Sequence, residues 1–145
     1  MSHLARLFLT CGGTIFVLLG FLHALYTYLD LRKPRRLVPD TPQVREAMER
    51  STLRLTRGAT TMWNAWVGFN FSHSLGALMF GAGCLVVAHL PARVAPPAAT
   101  LLIPIAIGAL YVLLAARYWF RIPLIGTALA TAFFVLAWLA STAGV

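Results

Sequence analysis

The sequence predicts an all-α fold, a polytopic membrane protein built as a bundle of four transmembrane helices with a short cytoplasmic amphipathic helix, and three observations carry that prediction. Of the 145 residues, 59% are hydrophobic and only 11% charged, whereas an ordinary soluble domain carries about 25% charged residues. Mean hydropathy is +0.77. The apolar residues are gathered into four long stretches, and most charges fall into one segment between the first and second of them.

The first stretch, Leu7 to Leu29, has no formal charge. It exceeds the apolar core of a cleavable signal peptide, about 7 to 15 residues, and is followed by Asp30-Leu31-Arg32-Lys33-Pro34 rather than a small-residue cleavage site. It is therefore read as a helix. The remaining spans are placed at 62–90, 98–116 and 123–143, each within the roughly 17 to 25 residues, or slightly more with tilt, that cross a hydrocarbon core. The whole chain is one membrane domain.

All four acids and eight of the twelve bases lie between Asp30 and Arg57, and Arg117 and Arg121 join spans three and four. Arg6 and Arg93 fall on the opposite side. The positive-inside rule then puts the 30–58 loop in the cytoplasm and both termini outside, with a bacterial inner membrane as the simplest setting. The formal net charge of +8 is thus explained by topology, and nucleic acid is not the expected partner.

Within the loop, the basic run RKPRRLVP reads as irregular chain beneath anionic headgroups, so membrane lipids are expected partners. Asp40 or Thr41 is expected to cap a helix over Gln43 to Arg57, with Pro42 in its first turn and Gln43 completing a capping box. Val44, Met48, Ser51 or Thr52, and Leu55 form its apolar stripe, and Arg45 with Glu49 and Glu46 with Arg50 are spaced for i,i+4 pairing. Tyr28, Trp63, Tyr118, Trp119 and Trp138 are expected interfacial anchors. Pro104 is expected to bend the third span.

Spans one and two run antiparallel, so residues at one depth carry numbers totalling about 92 to 96. That register sets His23 opposite the stretch Phe69 to His73 and Cys11 near Cys84. Asn70 and His73 share one helix face, which Trp66 and Ala77 continue. Polar groups inside a bilayer turn inward and find partners, so His23, Asn70 and His73 are predicted to meet. Asp30 is on the same side of helix one, near the headgroups, either as a plain helix-end carboxylate or as a group orienting a ligand or proton path.

Three readings of this cluster are open. The first is structural: interhelical hydrogen bonds fix register in an accessory or structural subunit. The second is a pocket for a lipid or other small apolar ligand, with Asn70 orienting a carbonyl or hydroxyl and Trp66 and Phe69 or Tyr26 as walls. The third is electron transfer through a b-type haem with His23 and His73 as axial ligands, where Gly20 and Gly76 leave room for the macrocycle. No nucleophile, base and acid constellation singles out a reaction, so whether the chain is an enzyme stays open. Gly12-Gly13, Gly76, Gly81, Gly83 and Gly126-x-x-x-Ala130 mark close-packing seams, either internal or at a homo-oligomer or larger complex.

A histidine late in the first span, with TMWNAWVGFNFSHSLGALMFG opening the second, resembles the small four-helix integral membrane proteins of bacteria. The resemblance covers most of the chain and implies the same four-span architecture. It brings no activity, cofactor or catalytic residue with it.

Overall fold

A computed structural model describes residues 1–143. They form five α-helices, α1 (His3–Arg32), α2 (Pro42–Arg50), α3 (Met62–His89), α4 (Leu102–Tyr118) and α5 (Arg121–Thr142), with no strand among the described residues. Four segments, His3–Arg32, Met62–His89, Ala98–Tyr118 and Arg121–Thr142, are long and apolar enough to cross a membrane. The all-α reading holds, and the chain is an integral membrane protein.

The helix ends follow local chemistry. The Ser2 hydroxyl accepts the Ala5 amide at 3.1 Å, capping α1 upstream of its apolar run. Pro34 cannot continue a helix, and α1 stops at Arg32. At α3 the Thr61 hydroxyl accepts the Asn64 amide at 3.2 Å, a side-chain N-cap. Pro104 lies in the first turn of α4, behind a 3-10 turn over Ala98–Leu101.

The chain divides into two compact units, Met1–Leu19 with Ala77 onward, and Gly20–Gly76. In the first unit the core is aromatic. Phe16 packs edge-on to Phe80 and Tyr111, with centroids 4.7 and 5.1 Å away, and lies parallel to Phe134 at 6.0 Å. Leu9, Phe16, Ala130, Phe134 and Ala137 are buried. Helices α1 and α3 approach through glycine here: a Cβ on Gly81 would come within 2.6 Å of the Gly13 carbonyl oxygen. Gly12, Gly108 and Gly126 also face neighbouring side chains, whereas Gly83 is open. Most of the small-residue seams are therefore internal. The Arg6 guanidinium donates to the Ala88 and Leu90 carbonyls, at 3.3 and 2.7 Å, satisfying the exposed end of α3. Both cysteines are free thiols.

In the second unit, α2 is shorter than expected. It ends at Arg50, and Ser51 is extended. From there the chain doubles back through a 3-10 turn at Arg54–Thr56, and Thr52 bridges Thr61. Leu53 donates to the Thr60 carbonyl at 2.9 Å and Met62 to that of Ser51 at 2.8 Å. The reversal uses Arg57 and Gly58, at φ 50° and 96°, a region that glycine enters without steric cost. Ser and Thr side chains compete for backbone groups and so break the helix that charge spacing alone suggested: the Thr56 hydroxyl accepts the Thr60 amide at 3.2 Å. The expected capping box is also absent. Thr41 is the N-cap residue, but its hydroxyl donates to Asp40 at 3.2 Å instead of accepting from the helix. The two expected ion pairs are present, Arg45 with Glu49 at 3.0 Å and Glu46 with Arg50 at 3.6 Å.

Candidate functional site

All six candidate residues, His23, Tyr26, Asp30, Trp66, Asn70 and His73, belong to the second unit. The centre is Asn70, which is buried. Its Nδ2 donates to the Trp66 carbonyl at 2.8 Å. A carbonyl only accepts, so the amide orientation is fixed and Oδ1 is the atom turned toward His23. An amide oxygen also only accepts. The His23 Nε2 therefore carries hydrogen and donates to Asn70 Oδ1 across 2.8 Å. One hydrogen-bonded side chain thus ties α1 to α3 and assigns the histidine tautomer.

The helix backbones around this bond are satisfied from within. The Thr27 hydroxyl donates to the His23 carbonyl at 2.9 Å, and the buried Ser74 hydroxyl to the Asn70 carbonyl at 2.7 Å. The His73 ring meets the His23 ring edge to face, centroids 5.3 Å apart and planes at 78°, within the usual contact range of ring pairs. Among the described residues no fully buried side-chain nitrogen or oxygen lacks a partner.

That contact tests the haem reading. Axial ligation sets two imidazoles on opposite faces of the macrocycle, each with a nitrogen about 2 Å from the metal. His23 and His73 instead touch directly, and the His23 Nε2 is engaged with Asn70. As placed, the two residues do not fit the group.

The space beside the cluster is small. A void of about 10 Å³ is bounded by Thr27, Asp30, Trp63, Trp66 and Asn70 among others, at the lower limit for one water molecule. Ligand pockets are about 300 Å³ or more. Trp66 and Tyr26 both contact the loop after α1. The Trp66 indole Nε1 donates to the Leu37 carbonyl at 3.0 Å, and the Tyr26 ring lies under the Arg36 guanidinium at 4.7 Å.

Asp30 has a role that sequence alone left undecided. It is only 4% exposed. Its Oδ1 accepts the Arg35 amide at 3.0 Å and the Arg36 amide at 3.3 Å, and its Oδ2 accepts those of Arg36 at 3.1 Å and Leu37 at 2.6 Å. Three successive amides converging on one anion form a backbone nest. Asp30 is thus an internal anion that folds the RKPRRLVP run back on α1; beyond Arg32 the run is irregular chain, as expected, and these bonds fix it in place. The only early signal was an acid immediately ahead of a basic, proline-marked loop.

Charge spacing did not suggest the three stacked arginines. Besides Arg36 on Tyr26, Arg32 lies over Tyr28 at 5.1 Å and Arg45 over Trp63 at 4.7 Å. A separate apolar groove of about 350 Å³ lies in the first unit, lined by residues including Leu9, Phe80, Cys84, Leu101 and Pro104, with no charged side chain. Sequence reading missed it because its lining is ordinary apolar span. Elsewhere, the His89 Nδ1 is 2.8 Å from the Leu85 carbonyl of its own helix. No cluster of three or more His, Cys, Asp or Glu suited to a metal occurs among the described residues.

Comparison with known proteins returned no matching protein family, no matching curated protein and no matching solved structure.

Proposed function

We propose that this chain is an accessory or structural membrane protein in which His23 and Asn70 lock two spans together, rather than a protein that uses His23, Asn70 and His73 on a ligand. The observation that carries this reading is the His23 to Asn70 hydrogen bond of 2.8 Å, with the amide's other end held by Trp66. Its surroundings support it, since the adjoining void of about 10 Å³ is far below the size of a ligand pocket. The bias of bases toward the 30–58 loop and the 117–122 turn supports a bacterial inner membrane, with that loop cytoplasmic and both termini outside. The test compares the wild-type chain with H23A and N70A in detergent. Lower thermal stability with an unchanged set of co-purified small molecules and a featureless visible spectrum at ample haem supply is expected. A molecule or haem band lost specifically in the variants would contradict the reading.

A second reading, binding of a small apolar ligand or acyl chain, is favoured by one observation: the charge-free groove of about 350 Å³ in the first unit. It moves that alternative away from the histidines. Filling the groove with I107W should then abolish retention of a bound lipid that mass spectrometry finds in the wild type, while H23A should not. Equal retention in I107W and the wild type would remove this reading.

A further inference from the structure

We propose that the loop joining α1 to α2 is a preorganised docking site for the headgroup of an anionic phospholipid, with Arg32, Arg35 and Arg36 supplying charge and Asp30 as the positioning residue. This goes beyond the structural reading of His23 and Asn70 and rests on different side chains.

The first support is charge complementarity. Arg32, Lys33, Arg35 and Arg36 are exposed, whereas the one acid beside them, Asp30, is buried with both oxygens turned to backbone amides. The outer surface of residues 31–36 is therefore basic, and the one exposed acid of the loop, Asp40, lies at its far end next to α2.

The second support is order. Asp30 holds the Arg35, Arg36 and Leu37 amides, and Trp66 holds the Leu37 carbonyl from the other side. A loop fixed at both of its backbone faces presents its arginines with less entropy left to lose on binding. Stacking restrains two of the guanidiniums: Arg36 over Tyr26, and Arg32 over Tyr28 with an additional hydrogen bond of 2.7 Å to the phenol oxygen. A guanidinium has five N–H donors, so contact with one ring leaves further N–H groups for the bidentate geometry that phosphate favours.

The third support is position. The turn immediately follows an apolar span, where lipid phosphates lie, and the same unit exposes Leu31, Val44 and Leu55, the last 94% exposed. Exposed apolar side chains beside basic ones suit a bilayer interface. A soluble anion would use only the charge.

Native mass spectrometry of the full chain in a neutral detergent, titrated with phosphatidylglycerol or phosphatidylcholine of matched acyl chains, tests the proposal. Wild-type protein should bind phosphatidylglycerol at least tenfold more tightly. A basic residue near an anionic surface contributes about fivefold, so R35Q/R36Q should lose about 25-fold for phosphatidylglycerol and little for phosphatidylcholine, with helix content unchanged. Asp30→Asn separates positioning from charge. It makes the loop more positive, so a patch acting by charge alone would bind phosphatidylglycerol more tightly, whereas a preorganised site binds it less selectively. Trp66→Phe removes the second strap without changing any charge and should lower the same selectivity, which keeps the test decisive if D30N does not fold. Equal affinity for the two lipids, or unchanged affinity in R35Q/R36Q, would overturn the proposal. Undiminished selectivity in the strap variants would overturn the role of Asp30. Displacement of the lipid by equimolar inorganic phosphate or a short oligonucleotide would reassign the site to a soluble anion.

Discussion

The two compact units are held by different physics, although α1 and α3 contribute to both. In the first, backbone meets backbone at Gly13 and Gly81, and Phe16 fills the core against Phe80, Tyr111 and Phe134. In the second, the same two helices are joined by His23 and Asn70, and the adjoining loop is held by Asp30 and Trp66. Lipid tails are as apolar as leucine, so burial alone gives helices in a bilayer little reason to associate. Close packing and polar bonding are the means that side chains supply, and inside the spans close packing dominates the first unit and polar bonding the second, the Arg6 bonds of the first lying at the end of α3. The first should fail by steric overlap, the second by loss of individual bonds.

The largest effect is expected where the backbones are closest. Gly81→Leu must displace the Gly13 carbonyl and the Val17 side chain. Because a backbone cannot give way as a side-chain tip can, the loss should reach about 3 kcal/mol or more. It should appear as a large drop in melting temperature in detergent, while Gly83→Leu, at an open position, should leave stability nearly unchanged. A similar drop in both variants would mean that the Gly13 to Gly81 seam is not what holds the first unit.

Phe16→Ala should be comparably large, at about 3 to 5 kcal/mol, because it leaves a cavity among three other rings. Unchanged thermal denaturation would show that these rings do not pack as a core. In the second unit, Asp30→Asn should cost about 1 to 3 kcal/mol, since it weakens a charge-assisted set of bonds to three amides. The sharper reading is local: hydrogen exchange at Arg35, Arg36 and Leu37 should accelerate, with the first unit's amides unaffected. Acceleration spread over both units would erase the distinction between them. At the small end, Arg45→Gln removes an exposed ion pair and the cation over Trp63, and about 0.5 kcal/mol is expected from the same melts.

The four spans were legible because length and hydropathy alone decide which segments cross a bilayer. The register of the first two was legible as well: an antiparallel pair with a known rise per residue has few ways to align its polar groups, and His23 indeed meets Asn70. What could not be read was anything fixed by backbone donors. The basic run looks irregular by composition, and its order comes from Asp30 gathering amides that have no sequence signature. The end of α2 was missed for a related reason, since Thr56 and Ser51 serve the reversal through local bonds that charge spacing ignores. Two histidines at one depth equally suggest ligation or contact. Only the 5.3 Å ring separation and the fixed amide of Asn70 distinguish them.

The claim that His23 and Asn70 act as a lock is tested most directly by a double-mutant cycle on unfolding in detergent, using His23→Ala, Asn70→Ala and the pair. The account predicts a coupling of about 0.6 to 1.7 kcal/mol between the two positions, with each single variant costing about 1 kcal/mol. Additive losses with no coupling would contradict it, because they would mean that the bond across the two helices contributes nothing to holding them together.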